Sequence, residues 1–550
     1  MEQVKAVSGT VVDVIKRCLF GARIEVGPTG RIAAIVPEAT PAPGFLLPGW
    51  VDAHVHVESS MLTPTAFARE AVRHGTVAAV TDPHEIANVL GMEGIDFMLA
   101  EAARTPFHFA TGAPSCVPAT PFDTAGAVLD AEAVSRLLAR PEISHLSEMM
   151  NVPGVLSGDA DVVAKLTAAR RYGKPVDGHA PGLRGEDLHR YLQAGISTDH
   201  ECLDLDEALE KAAAGMRIQL RRGSAARQFE PLLPVLAHYP EACMFCSDDK
   251  HPDDLAQGYI DQMVRIAVAA GMDLFDVLRA ASLNPARHYG LDLGLLQPGD
   301  RADWIEVEDL TNFLIRRTVL GGEVVAERGE TRLPVLAPLR CPNHFALQPV
   351  APEAFRIPGR DGLCRVIGVR EGQLLTDAAI CRPALRDGSV VADPTRDLVK
   401  LVVCNRYAPD AQPALALALG FGLHAGALAT SVAHDSHHVI AAGTNDSLLA
   451  QAINAVVSHG GGLAVADGQG TTHTMPLPVA GLMGTGTCEQ TAADHARVTE
   501  AARRCGCTLQ APFMTLSFLA LPVIPALKLT DQGLFDAERF QPVDFWFRAS

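Results

Sequence analysis

Two histidines one residue apart, His54 and His56, close the run PGWVDAHVH. In a β-strand, residues two apart share a face, so both imidazoles can bind one metal ion from a rigid support. His179 in DGHAP, His200 in TDHE and Asp248 in SDDKHP add two nitrogen donors and a carboxylate, each where a short apolar run ends. Such a set suits zinc, manganese or iron and can hold a solvent molecule between metal and substrate. Glu148, in HLSEMMN, is the candidate bridge between two ions, because one carboxylate can bind both and offset their charge. Taken singly, each residue has an ordinary structural explanation, a satisfied core histidine or an ion pair at a loop start. The set is what carries meaning.

Side chains this far apart in sequence need a frame that gathers them. Across about 250 residues, short apolar runs alternate with Ala/Leu/Arg-rich helical stretches such as LTPTAFAREAVRHG and DADVVAKLTAARRYG. The candidate strands end at VDAHVH, VAAVTDPHE, FHFATGA, SHLSEMMN, PVDGHAP, GISTDHE, RIQLRRGS and ACMFCSDD, which makes eight. Many terminate in His, Asp or Glu, as expected if the C-terminal mouth of a (β/α)8 barrel holds the chemistry. The expected class is therefore α/β, a distorted (β/α)8 metal-dependent hydrolase barrel over residues 50–296. Short β-rich runs before it (TVVDVI, RIEVG, RIAAIVP) and after it (ADWIEVEDL, FLIRRTVLGGEVV) predict one small composite β domain from residues 1–49 and 297–340. An additional C-terminal α+β domain is expected over 341–550.

Composition narrows the partners. With 48% hydrophobic and 20% charged residues the chain reads as globular. A formal net charge of −18 argues against nucleic acid, whose phosphates need a concentrated basic face, but is compatible with an uncharged base. No secretory signal and no membrane-length apolar run is evident, so a cytoplasmic location is expected. The 12 cysteines form no disulfide framework, and the CxxC of Cys243 and Cys246 lies in an apolar run, so buried thiols are expected. The apolar run PFMTLSFLALPVIP is expected to be core, with a subunit interface in a homo-oligomer as its alternative.

The segments PGWVDAHVHVESS, AAVTDPHEIANVLG, SEMMNVPGV, GHAPGL, AGISTDHE, CSDDKHPDDL, ASLNPARHYGL, SVAHDSHHVIAAGTND, LPVAGLMG and PFMTLSFLALPVIP resemble, in order, successive signatures of the bacterial adenine deaminases of the amidohydrolase superfamily. The resemblance runs from about residue 45 to 535 and implies conversion of adenine and water to hypoxanthine and ammonia in purine salvage. It also implies His54, His56, His179, His200 and Asp248 as metal ligands and Glu148 as the bridge, the residues already reached from the strand ends. The chain departs from the family pattern at Arg222 (RRGS for REGS), Tyr259 (GYID for GHID), Tyr407 (NRY for NRH) and His438 (HDSHH for HDSHN), which bears on substrate preference and turnover.

The expected cofactor is a binuclear divalent metal, manganese or iron, with zinc as the alternative. Coordination would lower the pKa of water enough to give a hydroxide that attacks C6 of adenine. Asp248 would take the solvent proton. A second acid/base must then protonate the ring and the departing ammonia. Glu85 in DPHEIAN is the first candidate, with His84 and Asp82 as neighbours, and Glu85 and Asp82 are expected to face the substrate. The structural alternative for Glu85 is a helix cap. Glu201, beside His200, is the second catalytic candidate. The dense segment from His434 to His438 either covers the mouth, binds an extra ion or only joins domains. Competing functions are an amidohydrolase acting on a modified adenine or another cyclic C–N substrate, and a noncatalytic metal-holding interaction protein. The HxE/PCxxC signature of nucleic-acid deaminases is absent as a unit.

Overall fold

The computed structural model describes residues 2–548. Its barrel strands are β1 (Trp50–Val55), β2 (Thr76–Thr81), β3 (His108–Ala113), β4 (Ile143–Met149), β5 (Val176–Gly178), β6 (Thr198–Asp199), β7 (Arg217–Arg221) and β8 (Cys243–Cys246). All eight lie on the runs expected from the sequence. Strands β1 to β5 pair in parallel and in order, as do β6 to β8. Single parallel bridges, Val176 with Ile196 and Val55 with Asp248, link the two sheets into a distorted closed barrel. The strands are covered on both faces, and β1, β2 and β8 are buried throughout, which is why they read as apolar runs without strict alternation.

The connecting helices start where the sequence supplies an acceptor. Asp159 accepts from the amides of Asp161 and Val162 at the head of Ala160–Arg171, and Asp204 does so for Glu207 at the head of Leu205–Ala213. Such a cap contributes about 0.5–2 kcal/mol.

One eight-stranded sheet joins the strands before and after the barrel, with Phe45–Leu47 antiparallel to Trp304–Val307. Beyond it, a nine-stranded sheet carries helix Asp446–Ser458 on one face, packed through Leu449, Ile453 and Val456. Two adjacent antiparallel strands of this sheet, Ala427–Thr430 and Val439–Gly443, are joined by residues 431–438. The run PFMTLSFLALPVIP is buried within the chain as helix Pro512–Ser517 and the turns after it. Among the described residues every cysteine is a free thiol, Cys243 and Cys246 lie buried inside β8, and no helix is long and apolar enough to cross a membrane.

Candidate active site

The C-terminal ends of the barrel strands bring His54, His56, Glu148, His179, His200 and Asp248 into one buried cluster. Glu148 sits between two imidazole pairs. Its Oε1 lies 3.3 Å from His56 Nε2 and 3.9 Å from His54 Nε2, and its Oε2 lies 2.8 Å from His179 Nδ1 and 3.3 Å from His200 Nε2. Asp248 Oδ1 closes the first pair, 3.4 Å from His54 Nε2 and 3.2 Å from His56 Nε2. His54 Nε2, which faces both Glu148 and Asp248, is buried without a hydrogen-bond partner, as suits a ligand to a cation. Burial raises the Glu148 carboxyl, but the His179 and His200 imidazoles outweigh it and hold it well below the usual range.

The backbone fixes these groups. Asp248 has a left-handed backbone (φ 58°), donates its N–H to the His54 carbonyl at 2.9 Å, and accepts from the His56 N–H at 3.2 Å. The φ of this aspartate turns the end of β8 back onto β1, so its carboxylate meets both histidines of the HxH pair. His56 Nδ1 faces the Asp82 carbonyl at 3.0 Å, which leaves Nε2 free toward the cluster.

The residues expected to do acid/base work have different fates. Glu85 lines the cavity above the cluster, and its two oxygens contact His434 Nδ1 and His437 Nε2. It does not cap its helix, His84–Leu90, whose start has no side-chain cap. Burial raises its carboxyl, yet His434, His437 and His84 together hold it well below the usual range. At His434 burial disfavours the cation, but Glu85 and Asp249 raise its pKa to about 9. His84 lies 3.4 Å from Glu148 through Nδ1 and 3.5 Å from Glu85 through Nε2. Asp82, expected beside the substrate, does not line the cavity; it holds His84 Nδ1 at 2.9 Å and the His84 amide at 3.1 Å, and its carboxylate groups with His56, His84 and Glu148 among the potential ligand atoms. Glu201 does line the cavity, but both its oxygens are held by the guanidinium of Arg221.

Arg221 was not singled out in the sequence, where it is an ordinary arginine at the end of a strand. Its guanidinium also donates to Asp248 Oδ2 at 2.7 Å, so one cation orients two carboxylates of the site. Also unmarked was Lys211, a buried lysine that binds Asp199 at 2.8 Å and the Ala180 carbonyl at 2.6 Å, and so ties the loops bearing His200 and His179 together. The roof of the cavity comes from the C-terminal region, with Phe518, Leu521, Ile524, His434 and Asp435. Phe518 stacks on His434 at 4.4 Å. A larger open cleft of about 980 Å³ lies at the other end of the barrel, among His108, Arg140, Tyr289 and Arg301. The metal-binding groups are gathered at the C-terminal mouth, the end where barrel enzymes hold their chemistry.

The four departures from the family pattern fall outside the cluster. Tyr407 and His438 touch each other, ring centroids 5.3 Å apart, so the two changes form one repacked contact, in which Tyr407 Oη also donates to the Ser436 carbonyl at 2.6 Å. Tyr259 donates to Asp52 Oδ2 at 2.5 Å beneath β1. Arg222 points away, toward Glu230 and Gln262.

Residues 45–325 match the amidohydrolase family, and residues 373–541 match the adenine deaminase C-terminal domain. The chain is 52% identical over 541 residues to an adenine deaminase of Salinibacter ruber, covering 98% of both chains. It is 46% identical to an adenine deaminase of Methanosarcina acetivorans, over 98% of this chain and 99% of the relative, and 48% identical to one of a Sulfurovum species, over 97% and 98%. Likeness at this level over nearly the whole length, with a cluster of side chains able to hold a divalent metal at the mouth of an amidohydrolase barrel, means that the chain belongs to the adenine deaminase family of amidohydrolases.

Proposed function

We propose that this chain hydrolyses adenine to hypoxanthine and ammonia, using a divalent metal pair held by His54, His56, Glu148, His179, His200 and Asp248. The single observation that carries the ligand assignment is Glu148, whose two oxygens face two separate histidine pairs, as a bridging carboxylate would. The buried, unpartnered Nε2 of His54 fits the same role. Nitrogen and oxygen donors without thiolate suit manganese or iron, and zinc equally by donor type. Bound there, the metals would supply an activated water at neutral pH.

The protein's own groups handle the protons. Asp248 would take one proton of the attacking water and pass it to the departing amino group. Glu85, ionised and joined to His434, would take the other proton of that water and return it to N1 of the purine ring, so that both protons of the water end on the products. His84 orients Glu85, and Asp82 fixes His84. Glu201, neutralised by Arg221, acts as an orienting partner and not as the acid. Water and free adenine are the substrates, and the net charge of −18 disfavours a nucleic-acid partner. We assign residues 1–49 with 297–340, 50–296 and 341–550 to its three domains.

The direct test is ammonia release and hypoxanthine formation from adenine by protein purified with manganese or iron, and again with zinc. Conversion is expected, lost on chelation and restored when metal is added back. Ring opening without ammonia would point to a cyclic amidase. A metal-replete protein inert toward purines and cyclic amides would point to a noncatalytic role. For Glu85, the change Glu85→Gln keeps shape and removes the titrating group; kcat is expected to fall about 10²- to 10⁴-fold with metal content unchanged. Near-parental turnover would reduce Glu85 to a structural link between the barrel and the 431–438 loop.

A further inference from the structure

A flat bicyclic substrate has a reacting end and a far end. If C6 of adenine lies against the metal cluster, the five-membered ring lies away from it, and something must recognise that ring. Beside Glu148 stands His84, with Nδ1 3.4 Å from Glu148 Oε1 and Nε2 3.6 Å from Asp435 Oδ1. One imidazole ring thus separates the cluster from Asp435, which is buried and lines the same cavity.

Asp435 differs from its neighbours in the loop. His434 and His437 are both engaged by Glu85, and the Ser436 hydroxyl donates to Asp123. Asp435 Oδ2 has no hydrogen-bond partner. A buried carboxylate oxygen left without a donor is costly, and an ionised carboxylate can only accept. The free base carries an N–H on its five-membered ring, whereas an adenine substituted at N9 has none. Met150, Phe518, Leu521 and Ile524 line the same cavity with apolar surface suited to a flat ring.

We propose that Asp435 accepts the N–H of the five-membered ring of free adenine, so that a residue of the C-terminal domain selects the free base over N9-substituted adenines. This rests on the adenine reading above. The test uses the full-length, metal-loaded protein and the variants Asp435→Asn and Asp435→Ser, with metal content measured alongside. KM for adenine and the dissociation constant of the product hypoxanthine, which keeps that N–H, are expected to rise about 10- to 100-fold, the usual effect of losing a charge-assisted hydrogen bond. kcat is expected to change far less. The affinity of 9-methyladenine as a competing ligand is expected to be unchanged or improved; where its binding to the parent is too weak to measure, the adenine and hypoxanthine values decide. An unaltered KM in metal-replete variants, or equal weakening of adenine and 9-methyladenine, would overturn the assignment. A parent protein inert toward adenine would instead remove the adenine reading itself, and the two failures are read from the same set of assays.

Discussion

Asp248→Asn is expected to lower kcat for adenine about 10³- to 10⁴-fold, near the upper range for removing a positioned proton acceptor. The substitution keeps the shape of the side chain, its left-handed backbone and its contacts with His54 and His56, and removes only the charge. Two losses coincide. The amide cannot accept the proton of the attacking water, and the metal site is left one negative charge short. Burial works against an ionised Asp248, and Arg221 with His54 and His56 overcomes it, holding the carboxyl well below its usual range. Metal analysis of the purified variant divides the effect: full metal with slow turnover assigns the loss to proton transfer, and depleted metal assigns it to ligation. Turnover within about tenfold of the parent, with metal retained, would exclude both roles.

Arg221→Met is expected to destabilise the folded protein by about 3–5 kcal/mol, the cost of breaking a buried ion pair from one side. The guanidinium binds both oxygens of Glu201 and one of Asp248, and all three side chains are buried. Methionine fills much of the volume but leaves two carboxylates facing each other in a site that already contains Glu148. Urea unfolding of parent and variant at equal metal loading measures the effect as a lower midpoint for the transition that includes the barrel. Arg221→Lys should fall between them, because an ammonium keeps the charge but cannot span both carboxylates with a planar fork. A midpoint equal to the parent's would show that the carboxylates do not depend on Arg221 for neutralisation.

The parts of the fold legible in the sequence were those fixed by short stretches of chain. Many of the barrel strands declare themselves by an apolar run, because both faces are covered, and by a polar residue where the run reaches the mouth. His54 and His56 announce a shared face because their spacing equals the strand repeat. Asp159 and Asp204 mark helix starts for the same local reason. The 431–438 segment was visible as a dense group of polar residues, but its role was open among covering the mouth, binding an ion and joining domains. Glu85 had a helix-cap alternative that only the observed start of its helix removes.

What the sequence determined by itself was thus the set of chemical groups, the order of the strands and the end of the barrel at which those groups gather. Tertiary structure decided which of them meet. Arg221 reaches Glu201 across 20 residues, Lys211 reaches Asp199 across 12, and His434 reaches Glu85 across 349. It also set Asp82 against His84, paired Tyr407 with His438, and brought Asp435 and Phe518 over the mouth. The reason is physical. A strand or a helix cap is set by contacts within a few residues, whereas the partner of a buried charge is whichever group the packed chain delivers beside it, and burial makes that pairing necessary without stating in the sequence where the partner lies.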